Sequence, residues 1–296
     1  MKSYFAQTIM LGLLSGYALS LSASTLRIFP AVELEFSTEA GQSYQIQYSS
    51  NLVSWIAYGT PVAGTGSNFS LLVSTRDTER RFFRLAPTDL APGLVALYRF
   101  DGSAADYSTN ANHGTVVNVT LATNRFGRAN AAYRFAGTSD SYVRVPSSSS
   151  LNITNAITLA AWINFEVGGT VYPRIINKGA YELATGEFFR STRRFYFTIE
   201  SPAQTQLGTP TEILQAGQWH FVCATYDGTL MLLYVDGVLL ATTNAPGGIA
   251  ATELEMNIGR NVRNSADNYQ GLIDDVRIYN RALSAQEITG LFNETE

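Results

Sequence analysis

Apolar residues in this chain recur at every second position far more often than at every third or fourth. Runs of this kind are VELEF (32–36), SYQIQYS (43–49), FSLLVS (69–74), RFFRL (81–85), TLAAWINF (158–165), RFYFTIE (194–200), WHFVCATY (219–226) and LMLLYVDG (230–237). A strand turns successive side chains to opposite faces, so each run predicts a strand with one buried face. Turn formers separate the runs: GTG at 64–66, Asp-Gly at 101–102, 227–228 and 236–237, and PGG at 246–248. This rhythm predicts an all-β sandwich or jelly-roll. One segment departs from it. RALSAQEITGLF (281–292) sets Ser284 as an N-cap with Glu287 three residues on, flanked by Leu283 and Ile288. That is a capping box with a hydrophobic staple, and it predicts a short C-terminal helix.

The segment APTDLAPG (86–93) holds two prolines and no periodic pattern, and reads as a linker. It divides a small β-rich unit at 25–87 from a larger one at 93–296. Lys2 is the only charge among the first 23 residues, and the apolar run Ile9 to Leu21 is broken by Ser15, Gly16 and Ser20. Residues 1–23 therefore read as an export signal rather than a membrane span, with Ala18-Leu19-Ser20 as one cleavage pattern. The expected location is secreted, periplasmic or cell-surface, with no membrane span after cleavage.

Composition narrows the partners. The chain is 46% hydrophobic and 15% charged, with a formal net charge of −4. These values fit a globular fold and argue against nucleic acid, which needs concentrated cations. Arg190, Arg193 and Arg194 form the one tight basic cluster and read as a solvated strand or loop. Cys223 is the only cysteine, so no internal disulfide exists, and its place in HFVCATY suits a small buried hydrophobe.

Candidate chemistry concentrates in YRFDGSAADYSTNANHG (98–114). Oxygen-bearing side chains fall on alternate residues there: Asp106, Ser108, Asn110 and Asn112. A loop curling around a hard cation needs that spacing, and calcium takes about six to eight oxygens. The pattern is not an EF-hand, because its central Gly and bidentate Glu are misplaced. In GLIDDVRIYN, Asp274 shares parity with Val276 and Ile278 and is expected to point inward. A buried carboxylate needs a metal, or hydrogen bonds such as backbone N–H groups at the strand start. His113 lies in a turn and His220 at a strand start, and the sequence places no nucleophile or orienting acid with either. The alternating acids Glu33/Glu35 and Glu253/Glu255 read as solvated strand faces, and no hydrolase motif is present. No catalytic residue is assigned.

Nine pieces in order resemble the laminin G-like, concanavalin A-like jelly-roll modules of secreted bacterial proteins. Among them are GLVALYRFDG (93–102), DYSTNANHGT (106–115), AYRFAGTSDSYVRVP (132–146), QWHFVCATYDG (218–228) and GLIDDVRIYNRALSAQEI (271–288). The small unit resembles the β-rich modules that accompany such domains. Its Trp55 and Tyr58 read as core residues, or alternatively as sugar-stacking rings. The resemblance implies a concanavalin A-like sandwich and a structural calcium between Asp106, Asn112, Ser139 or Asp140, and Asp274. It also implies recognition of a carbohydrate or extracellular polymer. Aromatic candidates beside turn residues are Tyr172, Phe188, Phe189 and Tyr269. A surface structural or protein-interaction role is the alternative, and a polysaccharide-degrading enzyme ranks third.

Overall fold

The computed structural model describes residues 31–38, 43–50, 56–59, 62–63, 67–74, 81–88, 92–168, 170–186, 191–201, 203–264 and 266–294. Residues 1–23, read above as an export signal, and Trp55, Phe188 and Phe189 lie outside them. The period-two runs form strands. In the small unit, Ala31–Ser37 pairs with Asn68–Ser74, and Ser43–Ser49 pairs with Ile56–Ala57, Val62–Ala63 and Phe82–Thr88. Phe82–Thr88 runs through Ala86 and Pro87, into the segment read as a linker. A proline is tolerated there because, among the described residues, this strand pairs on one side only, with Ser43–Ser49. Tyr58 packs edge-on against Tyr48 and Phe83, so it belongs to the small unit's own packing.

In the larger unit two eight-stranded sheets face each other. Sheet I runs Val238–Asn244, Leu230–Val235, His220–Tyr226, Ile157–Phe165, Gln270–Tyr279, Ala132–Ala136 and Thr120–Ala122. Leu94–Tyr98 also pairs with Gln270–Tyr279, on the half of its edge that Ala132–Ala136 leaves open. Sheet II runs Ala203–Gly208, Thr192–Ser201, Tyr181–Gly186, Arg174–Asn177, Met256–Ile258, Tyr142–Val145 and Thr115–Val117, with Leu214–Gln215 on Thr192–Ser201. All these pairings are antiparallel. Asp236 and Gly237, both at positive φ, close the two-residue hairpin between Val235 and Val238.

Strand parity sorts the side chains. From Ile157–Phe165, Leu159, Ala161, Ile163 and Phe165 enter the core between the sheets, while Ala160 and Trp162 face outward. The outer face of sheet I is not left to water. The helix Ala285–Phe292 covers it, seating Ile288 and Leu291 against Leu97, Phe221, Cys223 and Tyr279. Its capping box is formed as anticipated: Ser284 N–H donates to Glu287 Oε2 at 2.8 Å, and Glu287 N–H to Ser284 Oγ at 3.3 Å. Cys223 is wholly buried, and burial pushes its thiol far above the usual range. Among the described residues no helix covers the outer face of sheet II.

Gly271 marks the tightest backbone approach in sheet I. A Cβ there would lie 2.3 Å from the Asn164 carbonyl oxygen and 2.7 Å from Phe165 Cα, and its φ is +132°. Gly271→Ala is expected to destabilise the domain by about 2 kcal/mol through backbone strain and clash. Chemical denaturation checks this; an unchanged midpoint would refute the assigned approach.

Candidate functional site

The loop 101–114 is built as a cap for a strand edge. Among the described residues Leu94–Tyr98 has a sheet partner on one side only, which leaves main-chain groups to satisfy on the other. Asp106 Oδ1 accepts from Leu97 N–H at 2.9 Å and from Ser108 N–H at 2.8 Å. Its Oδ2 accepts from Asn112 N–H at 2.8 Å and from Ser108 Oγ–H at 2.7 Å. Asn112 Nδ2 donates to the Val95 carbonyl at 3.0 Å, and Tyr107 N–H to the Leu97 carbonyl at 2.9 Å. Tyr98 Oη–H reaches the Asn112 carbonyl at 2.6 Å. A buried carboxylate with four donors is fully compensated.

Asp274 is buried, but on the face opposite to the one expected. Ile273 and Val276 both enter the inter-sheet core, so two residues separate them where strict alternation allows one. The cause is a bulge: the register against Ile157–Phe165 shifts between Ala160 and Trp162, and Asp275 has a φ of 46°. Asp274 therefore sits beside Trp162, outside the sandwich. There Arg125 Nη1 lies 3.3 Å from Asp274 Oδ2 and 2.5 Å from Asp275 Oδ2. The guanidinium is 4.6 Å from the Trp162 ring centre and 4.2 Å from that of Phe126. Burial first, then the Asp275 charge, push the Asp274 carboxyl up to about 8, against the pull of Arg125.

The structure thus brings Asp106 and Asn112 together and gives Asp274 separate partners. Asp140 accepts from Asn118 Nδ2 at 3.1 Å, and the Ser139 carbonyl accepts from Arg260 at 3.0 Å. As arranged, these residues do not fit calcium. The Asp106 oxygens face N–H and O–H donors, and Asp274 faces a guanidinium. Among the described residues no group of three or more His, Cys, Asp or Glu side chains is placed to hold a metal.

The outer face of sheet II is different in character. Alternation in Thr192–Ser201 buries Phe195, Phe197 and Ile199 and turns Arg194, Tyr196, Thr198 and Glu200 outward. The Tyr196 ring is seated between two glycines. A Cβ at Gly186 would lie 2.2 Å from it, and one at Gly208 2.6 Å. Tyr172, 42% exposed, meets Tyr196 edge-on at 5.8 Å. Beside this pair runs a row of ion pairs. Arg174 Nε lies 2.8 Å from Glu182 Oε2, and Arg263 holds both Glu200 oxygens at 2.5 and 2.8 Å. Asn261 Nδ2 donates to Asp267 at 3.0 Å.

Arg193 corrects the reading of the basic cluster as solvated. Its parity with Phe195 carries it inward, and it is wholly buried. Its Nη2 donates to the Gly168 carbonyl at 2.6 Å and Nη1 to Thr185 Oγ1 at 3.2 Å, while the guanidinium lies 4.6 Å from the Phe165 ring centre. Burial lowers its pKa. This charge anchors one side of the 166–172 loop, and Arg174 reaches the Tyr172 carbonyl on the other. Tyr269, expected at a ligand surface, is also wholly buried, edge-on to Phe135 at 6.2 Å. It cannot stack on a ligand. Phe188 and Phe189, the other aromatic candidates, lie outside the described residues.

Both histidines serve as acceptors for main-chain amides. His113 Nδ1 accepts from Asp106 N–H at 3.1 Å, and His220 Nε2 from Gln215 N–H at 3.0 Å. His220 Nδ1 faces Asp236 at 2.8 Å. The alternating acids are similarly engaged: Glu33 with Ser70, Glu35 with Asn68, Glu253 with Asn152 and Glu255 with Arg144. Sequence reasoning missed Tyr196, although the alternation of RFYFTIE already turned it outward. It also missed Arg125, for which no local signal exists.

A family model of the laminin G type, described as the concanavalin A-like lectin/glucanases superfamily, matches residues 136–289, more than half of the chain. The chain belongs to that superfamily. Among solved structures it is similar to domain 4 of AbnA, an extracellular arabinanase of Geobacillus stearothermophilus captured with arabinotriose. The identity is 20%, the TM-score 0.55, and the match covers 68% of this chain and 98% of that one. The binding domain of Paraclostridial Mosquitocidal Protein 1 matches at 17% identity and TM-score 0.56, over 68% of this chain and 52% of that one. Human pappalysin-1 is 27% identical over 156 residues, 45% of this chain; the chain spans only 9% of that protein's length. The structural likenesses speak for the fold.

The buried acid makes a pH prediction. Because folding raises the Asp274 pKa from the ordinary value of about 4 to about 8, its contribution is complete below pH ~4 and is lost as pH rises toward 8. Asp274→Asn is therefore expected to flatten the stability–pH curve across that window and to gain on the parent by more than about 1 kcal/mol between pH ~5 and ~9. Arg125→Ala, which leaves the Asp275 carboxylate without its counter-ion and Asp274 with one partner fewer, should cost about 3 kcal/mol at neutral pH. Urea denaturation at several pH values reads both; parallel curves for Asp274→Asn and the parent would refute the assignment. A chelator is expected to leave the melting temperature unchanged, and a fall of several degrees would show that a metal is held after all.

Proposed function

We propose that this chain is an exported, non-catalytic binding module that recognises a carbohydrate or extracellular polymer on the outer face of sheet II. One observation carries this reading: exposed Tyr172 is held edge-on to Tyr196, whose ring is seated between Gly186 and Gly208, beside a row of hydrogen-bonding ion pairs. Sugar rings present C–H surfaces that pack on aromatic faces, and their hydroxyls bond to a few fixed polar groups. Arg193 and Arg174 hold the Tyr172 loop before any ligand arrives, so little ordering has to be done on binding.

Two further points support it. The arabinanase domain that shares this fold was captured with arabinotriose, and another neighbour is the receptor-binding domain of botulinum neurotoxin type G. In addition, each carboxylate weighed as a hydrolytic group has a structural partner: Glu33, Glu35, Glu253 and Glu255 accept from neighbouring side chains. In this reading residues 1–23 direct export, 25–87 form the accessory unit and 93–296 the binding unit. A protein-interaction role is the second reading. It is favoured by Val167 and Val171, exposed on the same loop as Tyr172.

Screening on a glycan array followed by titration calorimetry tests the proposal. Tyr172→Ala and Tyr196→Ala are each expected to weaken retained glycans about tenfold, the scale of one lost stacking contact. Tyr172→Ala should keep the parent melting temperature within a degree or two. Absence of any retained glycan, or affinity indifferent to both substitutions, would refute it.

A further inference from the structure

We infer that the outer face of sheet II takes a run of sugar residues longer than a disaccharide, laid along the strand Thr192–Ser201; this rests on the binding reading above. The polar groups of that face form a strip that can be followed contact by contact. It begins at Tyr172, edge-on to Tyr196 at 5.8 Å. Arg174 donates to the Tyr172 carbonyl and lies 2.8 Å from Glu182. Glu182 stands opposite Thr198 on the neighbouring strand. Gln206 flanks Thr198 from the other side, its Nε2 donating to Thr198 Oγ1 at 3.3 Å. The strip then reaches Arg263, which holds both Glu200 oxygens at 2.5 and 2.8 Å. The Glu200 hydrogen bonds raise the Arg263 pKa, and the Glu182 charge adds to that pull. Glu182 therefore lies between the two guanidiniums and links the ends of the strip.

Its length sets the ligand class. Tyr196 and Glu200 are four residues apart on one strand and face the same way, which separates them by ~13 Å at a rise of ~3.3 Å per residue. Two linked sugar rings seated on the tyrosines stop short of the other end. Exposure follows the same line: Tyr172, Gln204, Gln206 and Arg263 are exposed, while Thr198 and Glu182 beneath them are buried. A ligand on this face meets side-chain heads beyond the tyrosines as well as at them. One end offers aromatic rings for stacking, and the other offers amide and guanidinium groups for hydroxyls. Glu182 fixes Arg174 and Glu200 fixes Arg263, so the spacing of these groups is set before binding. Two contact sites on one rigid strip reinforce each other only in a ligand long enough to touch both.

The test is calorimetric titration of the full-length protein with the di-, tri- and tetrasaccharides of arabinan, cellulose and polygalacturonate. Within any series that binds, the tetrasaccharide is expected to bind at least about tenfold tighter than the disaccharide. Arg263→Ala should weaken the tetrasaccharide about tenfold and leave the disaccharide unchanged, whereas Tyr172→Ala should weaken both. Gln204→Ala, opposite Glu200 at the same end, should show the same dependence on ligand length, and it keeps the test decisive if Arg263→Ala does not fold. Equal affinity for di- and tetrasaccharide, or tetrasaccharide binding indifferent to both far-end substitutions while Tyr172→Ala still weakens it, would overturn this inference and leave the binding site standing. No binding of any series by the wild type would overturn the binding reading, and this inference with it.

Discussion

Two sheets can share one apolar core only if each strand turns alternate side chains inward, and that constraint leaves each sheet an outward face. The protein treats its two outward faces oppositely. On sheet I the outward residues are Ala160, Trp162, Phe221, Cys223 and Tyr279, and the C-terminal helix is laid over them. Trp162 stacks on Phe292 of that helix at 5.8 Å. On sheet II the outward residues include the part-exposed Tyr196 and Glu200, open to water and to a hydroxyl-rich ligand, and the buried Glu182 and Thr198, which Arg174 and Gln206 satisfy. An amphipathic helix covers one face, and the proposed binding falls to the other.

Charges taken out of water are the second organising problem, and three solutions appear. Asp106 is surrounded by amide and hydroxyl donors that would otherwise leave a strand edge unfinished. Asp274 and Asp275 share Arg125, which is clamped between Phe126 and Trp162. Arg193 uses carbonyl and hydroxyl oxygens with an aromatic ring alongside. Each arrangement joins segments distant in sequence. The Arg193 contact joins the core to the loop that carries Tyr172, which links packing to the proposed site.

Much of this was legible in the sequence. Alternating runs placed the strands, Asp-Gly marked the tight hairpin at 236–237, and Ser284 with Glu287 marked the helix start. These are local signals, governed by neighbours within a few residues. The sandwich class and its superfamily follow from them and from the order of the matched segments. Parity even carried Tyr196 to the outer face of its strand.

What the sequence could not decide turns on contacts between distant residues. Parity counting from Val276 sent Asp274 inward, but one extra residue at Asp275 reverses the face, and a bulge has no mark in the alternation itself. The oxygen-bearing side chains of 106–112 suit a cation loop equally well as a strand cap. Only the position of Leu94–Tyr98, with one edge unpaired, assigns them to main-chain donors. Tyr269 and Tyr172 look alike beside their turns, yet one is enclosed by Phe135 and the other stands in solvent. Secondary structure and fold class were written in the sequence because they depend on short-range geometry. Which polar and aromatic groups are buried and which stand exposed was decided by tertiary structure, because burial and charge pairing belong to the assembled sheets.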